Sequence, residues 1–391
     1  MNLILKFFSH DPYNRYNALT MNYHIRENLI YSKIIKELNS FHLGSIGQYN
    51  IQIPKLIYSK CTEKDFVIVM ENLKSAGYVM NPKQTSLDLE MIVTSIKQLA
   101  SLHATSYACW KKDEFLSDYP CFEFNDRPGM FFGEIFRVCL MNTIKYLEHK
   151  GGFDKVIRKL KQIQPNANFI YEYLWSDHQT PLILCLTHGD FWNNNLMFLK
   201  EGKETKTERI KVMLLDWQMC HWGNPIRDIM YLIYSSTSYK LRKEYLDEIL
   251  RIYHSTFIEI ATALNNRAIY WNYENFMKEI DCYSFMGFAY GVTLPQIFLS
   301  ENISIISGAK VPVPSPAEMK IKTTLAKMFL PFVKSAPMKF LFRQKIKQVI
   351  GSAVHELISE RNMVLNNRLL DIVEEAESSG LFDKIIKKML T

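Results

Sequence analysis

One stretch between two β-forming segments constrains this chain more than any other. It reads Thr187-His188-Gly189-Asp190-Phe191-Trp192-Asn193-Asn194-Asn195-Leu196-Met197-Phe198, and the apolar run Leu182 to Leu186 delivers it. A second β-forming segment, Ile210 to Leu215, ends directly in Asp216-Trp217-Gln218. The spacing puts a carboxylate, Asp190, and a carboxamide, Asn195, five residues apart on one loop. A second carboxylate, Asp216, stands at a strand end 26 positions after the first. A fold that honours this pattern must bring two strand ends and one loop to the same edge.

The side chains name a chemistry. Phosphoryl transfer from a nucleotide needs a carboxylate to orient, or accept the proton of, the attacking hydroxyl. It also needs an amide oxygen and a further carboxylate to hold Mg²⁺ against the phosphates. A His-Gly-Asp turn between strands is also ordinary loop chemistry. The correlated Asn195 and Asp216 make the catalytic reading the stronger one.

The motif His-Gly-Asp-x-Trp-x-x-Asn-x-x-Phe, followed by Leu-Asp-aromatic-Gln, resembles the ecdysteroid kinase-like family of insects. That family is a branch of the choline kinase and aminoglycoside phosphotransferase superfamily. The resemblance implies a kinase-like fold and transfer of phosphate from ATP, with Mg²⁺, to a hydroxyl of a small molecule. It makes Asp190 the catalytic base and Asn195 and Asp216 the metal ligands. His188 and Asp228 become residues that brace the catalytic loop from behind. The family usually has Phe after the metal-binding Asp; Trp217 stands there in this chain and keeps an apolar aromatic. The fold class expected is α+β: a two-lobe protein-kinase-like fold. Residues 1–72 would form a small, incomplete β-rich N-lobe, and residues 73–391 a large helical C-lobe.

Near the start, residues 2 to 8 read as a strand carrying Lys6, and Leu19 to Leu38 as a helix carrying Glu27. On composition alone these are a solvated lysine and a surface glutamate. The resemblance extends to Leu-Ile-Leu-Lys and to Arg26-Glu27-Asn28-Leu29-Ile30-Tyr31, and implies an ion pair that holds the nucleotide phosphates. A kinase-type fold puts two strands and a glycine-rich turn ahead of this lysine. Here five residues precede Lys6, and the first glycine is Gly44. The expectation is a chain without the phosphate lid, either as a fragment or through loss of the lid. In the second case nucleotide binding would be weak. Glu71-Asn72-Leu73 resembles the family's Glu-Asp-Leu segment, which joins the lobes beside the adenine, with Asn72 in place of Asp. Otherwise it is a polar linker.

Ile51 to Ser59 and Asp65 to Met70 read as strands, and Ser86 to Tyr107 as a helix with Ser86 as its cap. His103 lies on the apolar face of that helix and reads as a core histidine. Helix is expected to Lys150, again over Asp154 to Leu174 with an interruption at Pro165, over Leu241 to Leu264, and over Phe276 to Leu299 with a kink at Pro295. A proline-rich loop spans Ser307 to Pro316, and a basic helical tail, with Lys320, Lys322, Lys327 and Lys334, runs on to Leu390.

Composition excludes little but points one way. The net charge of +7 is dispersed and lacks the dense blocks of a nucleic-acid arm. No nucleic-acid partner is expected. Seven scattered cysteines, with no Cys-x-x-Cys, read as buried thiols of a reducing compartment. No apolar run spans a bilayer, so stable membrane insertion is not expected and the cytoplasm is. The partner expected is a small-molecule alcohol, lipophilic and ecdysteroid-like by resemblance. The alternative is a pseudokinase or nucleotide-binding protein without turnover. Oligomeric state is not legible.

Overall fold

The structure, a computed structural model, describes residues 2–390 apart from 10–14, 16–17, 20, 43, 63–64, 124–126, 176–180, 202–208, 265–269, 302–342 and 345. Its architecture is α+β with two lobes. The small lobe begins with β1 (Leu3–Phe7), followed by α1 (Tyr23–Leu29). A π-helical turn (Ile30–Ile34) then leads into α2 (Ile35–Ser40). Next come β2 (Leu56–Cys61) and β3 (Phe66–Glu71). The three strands form one antiparallel sheet in the order β1-β3-β2, with Lys6 opposite Ile68. Ile30, Ile34 and Leu38 are fully buried and share a core with Ile68 and Met70 of the sheet. The residues that drive the helix to form thus also dock it, and docking aims Glu27 at β1.

Several contacts hold the joint around the linker. Val79, just beyond the linker, pairs with Phe198, and the Leu214 amide donates to the Gln52 carbonyl. A small apolar cluster of Leu73, Tyr78 and Met197 fills the joint.

The large lobe is helical. Its spine is α3 (Leu89–Cys109), which buries Ile92, Ile96, Leu99 and Leu102 at helical spacing. Each such side chain contributes about 1.5–3 kcal/mol by leaving water. After α4 (Lys112–Asp118) come α5 (Arg127–Lys150), α6 (Asp154–Ile163) and α7 (Ala167–Trp175). The catalytic-type segment follows, on β4 (Cys185–Thr187), β5 (Leu196–Glu201), β6 (Arg209–Leu214) and β7 (His221–Gly223). Helices α8 (Pro225–Ser236), α9 (Tyr239–Leu264), α10 (Tyr273–Cys282) and α11 (Ser284–Leu299) come next. The chain closes with α12 (Ala353–Ile358), α13 (Met363–Ser378) and α14 (Leu381–Leu390). Helix α11 is buried nearly all round, as a central helix must be. Two of its glycines make this possible. A Cβ on Gly287 would meet the Tyr234 ring at 2.5 Å, and one on Gly291 would meet Ile372 at 2.5 Å.

Several local expectations are corrected. The strand expected from Ile51 starts at Leu56. The amides of Ile51 and Gln52 go instead to the side chains of Asn39 and Gln98, and Pro54 has no amide for a ladder. Helix α3 is capped by Asp88, whose carboxylate accepts from the Met91 amide at 2.8 Å, and not by Ser86. The helix expected from Phe276 to Leu299 is two helices that break at Tyr283, while Pro295 lies inside α11 without ending it. Cys139, Cys185 and Cys220 are buried, but Cys61, Cys109 and Cys121 are partly exposed and Cys282 is exposed. The proline-rich loop and the lysines 320, 322, 327 and 334 lie outside the described residues. Among the described residues, no helix is long and apolar enough to cross a membrane.

Candidate active site

The site is built where two short antiparallel pairs end. Strands β4 and β7 pair from Cys185 to Thr187, and the Thr187 hydroxyl donates to the His221 carbonyl at 2.8 Å. Strands β5 and β6 pair with Leu196 opposite Leu214. One step beyond that pair, the Leu215 amide donates to the Asn195 carbonyl at 2.9 Å. Asn195 and Asp216 are therefore neighbours by register, since they flank the open end of one hairpin.

The turn between β4 and β5 is held from beneath. Gly189 takes φ +79°, and a Cβ there would strike the Met219 carbonyl, so this position is closed to other residues. Asp228, at the start of α8, accepts from the backbone amides of His188 at 2.6 Å and Gly189 at 2.9 Å. Its Oδ2 also lies 3.2 Å from His103 Nε2, and His103 Nδ1 lies 2.8 Å from the Tyr253 hydroxyl. Burial works against charge on Asp228, but these bonds hold its carboxyl below the usual range. The imidazole of His188 spans the loop. The Asp190 amide donates to Nδ1 at 3.3 Å, which makes Nε2 the donor to the Leu215 carbonyl at 3.0 Å. Burial lowers the His188 pKa and favours this neutral form. Asn193 anchors the far side through its amide to the Ser236 hydroxyl and its side chain to the carbonyls of Asn81 and Pro82.

On this frame Asp190 is gripped at both oxygens. The Tyr231 hydroxyl donates to Oδ1 at 2.8 Å, and the Asn195 amide nitrogen donates to Oδ2 at 2.9 Å. Burial, and then the nearby charge of Asp216, push the Asp190 carboxyl up to about 7. A carboxylate tuned to that value suits proton transfer at neutral pH.

Lys6 closes the constellation from the small lobe. Its ammonium lies 2.7 Å from Glu27 and 2.8 Å from Asp216. Burial opposes its charge, yet Glu27 and Asp216 outweigh that and hold Lys6 above the ordinary lysine range. Burial raises the Glu27 carboxyl against the pull of Lys6. Asp216 itself takes φ 60°, a left-handed conformation that Asp tolerates better than most residues. The arrangement around it fixes that turn. Arg26, beside Glu27, donates to the carbonyls of Cys121, Gln218 and Met21, which ties α1 to the turn after Asp216.

A divalent ion fits this donor set. The Asn195 nitrogen is committed to Asp190, which leaves its carbonyl oxygen free to ligate. Asp216 spends Oδ1 on Lys6 and has Oδ2 to offer. Like charge between Asp190 and Asp216 is what a cation would relieve. Among the described residues no three His, Cys, Asp or Glu side chains form a metal cage. Mg²⁺ takes six oxygens, so two from this protein would be completed by phosphate oxygens and water, the manner in which that ion is usually held.

The structure brings together Lys6, Glu27, Asp190, Asn195 and Asp216, with His188 and Asp228 beneath them. The side chains of Glu71 and Asn72 are turned elsewhere. Glu71 accepts from the Lys55 amide at 2.7 Å, and Asn72 accepts from the Lys74 amide at 3.1 Å. Sequence reasoning missed Tyr231. The available signal was its place three residues after Asp228, on the same helix face. It also gave Arg26 no role.

A sheet that presents a lysine to a helix glutamate, over a loop carrying Asp and Asn and a strand-end Asp, defines a kinase-like two-lobe fold. The chain belongs to the ecdysteroid kinase-like family, whose model matches residues 1–266. Among solved structures it is similar to an ethanolamine kinase of Plasmodium vivax, at 12% identity and TM-score 0.34, over 67% of this chain and 66% of that one. It is also similar to an aminoglycoside-3'-phosphotransferase of type VIII, at 14% identity and TM-score 0.31, over 67% of this chain and 83% of that one. The chain thus spans just under two thirds of the ethanolamine kinase. Among curated proteins, none matches.

Proposed function

We propose that this protein is an ATP- and Mg²⁺-dependent phosphotransferase that acts on the hydroxyl of a small, lipophilic alcohol. The observation that carries this reading is Asp190, a carboxylate raised to about 7 at the junction of Asn195 and Asp216. Asp190 would accept the proton of the acceptor hydroxyl as its oxygen attacks the terminal phosphorus. Bound Mg²⁺ would neutralise charge on the phosphates, and Asn195 and Asp216 are the residues that would hold it. Lys6, kept in place by Glu27, would contact phosphate oxygens. The small lobe, with the linker at Glu71 and Asn72, would cover the nucleotide, and the lobe boundary would lie near residue 72. Trp192, two residues from Asp190, stacks on Phe298 with ring centroids 4.1 Å apart. Both rings are partly exposed, which supports an apolar acceptor.

The test is transfer of labelled γ-phosphate from ATP to a panel of alcohols that includes polyhydroxylated sterols, sugars and amino alcohols. The reading expects label on a lipophilic alcohol and no transfer when Mg²⁺ is chelated. Nucleotide binding with no transfer to any alcohol would instead mark a pseudokinase.

Tyr231 supplies a finer prediction. Its hydrogen bond lowers the Asp190 pKa, against burial and Asp216, which raise it. Tyr231→Phe should therefore move the acidic limb of kcat/KM upward by roughly one pH unit, the worth of one such bond. The rate at pH 6 should fall several-fold while the alkaline plateau changes less. A pH–rate profile checks this.

A further inference from the structure

Away from the catalytic cleft, a cavity of about 210 Å³ opens between the linker before α3, the junction of α8 and α9, and α13. Its walls include Ser86, Ser238, Arg242, Arg368 and Asp371. Arg368 is the unusual member. It donates to the Ser235 carbonyl at 2.8 Å and to the Ser86 hydroxyl at 3.1 Å, and among the described residues no carboxylate lies within ion-pair reach of it. A guanidinium has five N–H donors, and among the described residues only these two acceptors meet them. Burial lowers the Arg368 pKa, and so does the neighbouring Arg242. Arg242 is already matched, since it bonds to Glu375 at 2.6 Å.

Two other polar wall groups have partners of their own. Asp371, one turn along α13, is the opposing charge. Burial raises its carboxyl, and the Tyr239 amide donates to it at the start of α9. The Ser238 hydroxyl caps the same helix through the Leu241 amide. Arg368 is thus a cation in a polar cavity, each of its two terminal nitrogens with one N–H bound and a second left over among the described residues, beside the electropositive end of a long helix. Such a fork matches two oxygens of one acid group.

We infer that this cavity binds a small oxyanion, a phosphate monoester or a carboxylate, seated on Arg368. The site shares its floor with the catalytic loop. Ser235 accepts from Arg368, while the adjacent Ser236 hydroxyl accepts from the Asn193 amide and the Ser236 carbonyl from the Leu87 amide. This inference does not rest on the phosphotransferase reading, because its test needs no turnover.

The test titrates the full chain calorimetrically with inorganic phosphate, then with acetate, in the absence of nucleotide and metal. Lys6→Ala is run beside the wild type to remove phosphate binding at the catalytic cleft. Saturable phosphate binding should persist in Lys6→Ala and weaken tenfold or more in Arg368→Gln, the worth of a charge-assisted pair. Arg368→Lys, which keeps the charge but loses the fork, should fall between. Acetate binding that depends on Arg368 alongside phosphate would assign acid groups generally; phosphate alone would assign phosphate esters. No saturable binding of either probe by Lys6→Ala at tens of millimolar would overturn the inference. So would unchanged binding in Arg368→Gln. Should Arg368→Gln fail to fold, the Lys6→Ala and Arg368→Lys titrations decide it.

Discussion

Asp190→Asn is expected to fold, to bind nucleotide, and to transfer phosphate roughly 10²- to 10⁴-fold more slowly than the wild type. Asparagine preserves the shape that Tyr231 and Asn195 grip, but it cannot take a proton. The same substitution should stabilise the fold. Burial and Asp216 raise the Asp190 carboxyl to about 7, far above its unfolded range. Between the unfolded and folded pKa values the native state binds more protons, so this group lowers stability as pH rises through that window. Above about pH 7 the full cost of the buried charge is present. The Tm advantage of Asp190→Asn should therefore be largest near pH 8 and shrink below pH 6. Paired kinetic and thermal measurements at the two pH values check both statements. A variant that loses stability as well as activity would make Asp190 a structural residue.

Asp216→Asn should weaken Mg²⁺-dependent nucleotide binding by roughly 10- to 100-fold, the worth of one charge-assisted contact in such a site. Asparagine tolerates the left-handed turn that Asp216 occupies at φ 60°, so the backbone is kept. Lys6 retains Glu27 at 2.7 Å and remains paired. What would be lost is the carboxylate that, on the proposed reading, holds the ion against the phosphates. A second consequence separates this account from a general weakening. The charge of Asp216 raises the Asp190 pKa, so its removal should shift the acidic limb of residual activity to lower pH. Isothermal titration with and without Mg²⁺, joined to a pH–rate profile, reads both effects.

Much of this site was legible in the sequence, and the reason is register. The two β-forming stretches flank a short connection, and antiparallel pairing of Leu196 with Leu214 forces Asn195 beside the segment that enters Asp216. Asp228 was legible in part. A proline at the mouth of a helix with an acid just inside marks a helix start, but that the acid braces the loop was implied only by the resemblance. The Lys6–Glu27 contact rests on tertiary docking of α1 against the sheet, which composition does not encode. Resemblance implied it, and the geometry gives 2.7 Å. Tyr231 stayed hidden because a tyrosine in an amphipathic helix looks like core until its hydroxyl is seen on a carboxylate. The helix break at Tyr283 was missed for a related reason. Proline seemed the obvious interruption, but packing of the buried α11 decides where that helix starts.

The central claim is that Asn195 and Asp216, facing Asp190, hold one divalent ion against a nucleotide. The most direct test is the gain in ATP affinity that Mg²⁺ gives the wild type, compared with Asn195→Ala, Asp216→Ala and the double variant. If the two side chains share one ion, each single substitution removes most of that gain, and the double variant loses little more than either. A Mg²⁺-dependent gain that survives in both single variants, or losses that simply add, would contradict the account.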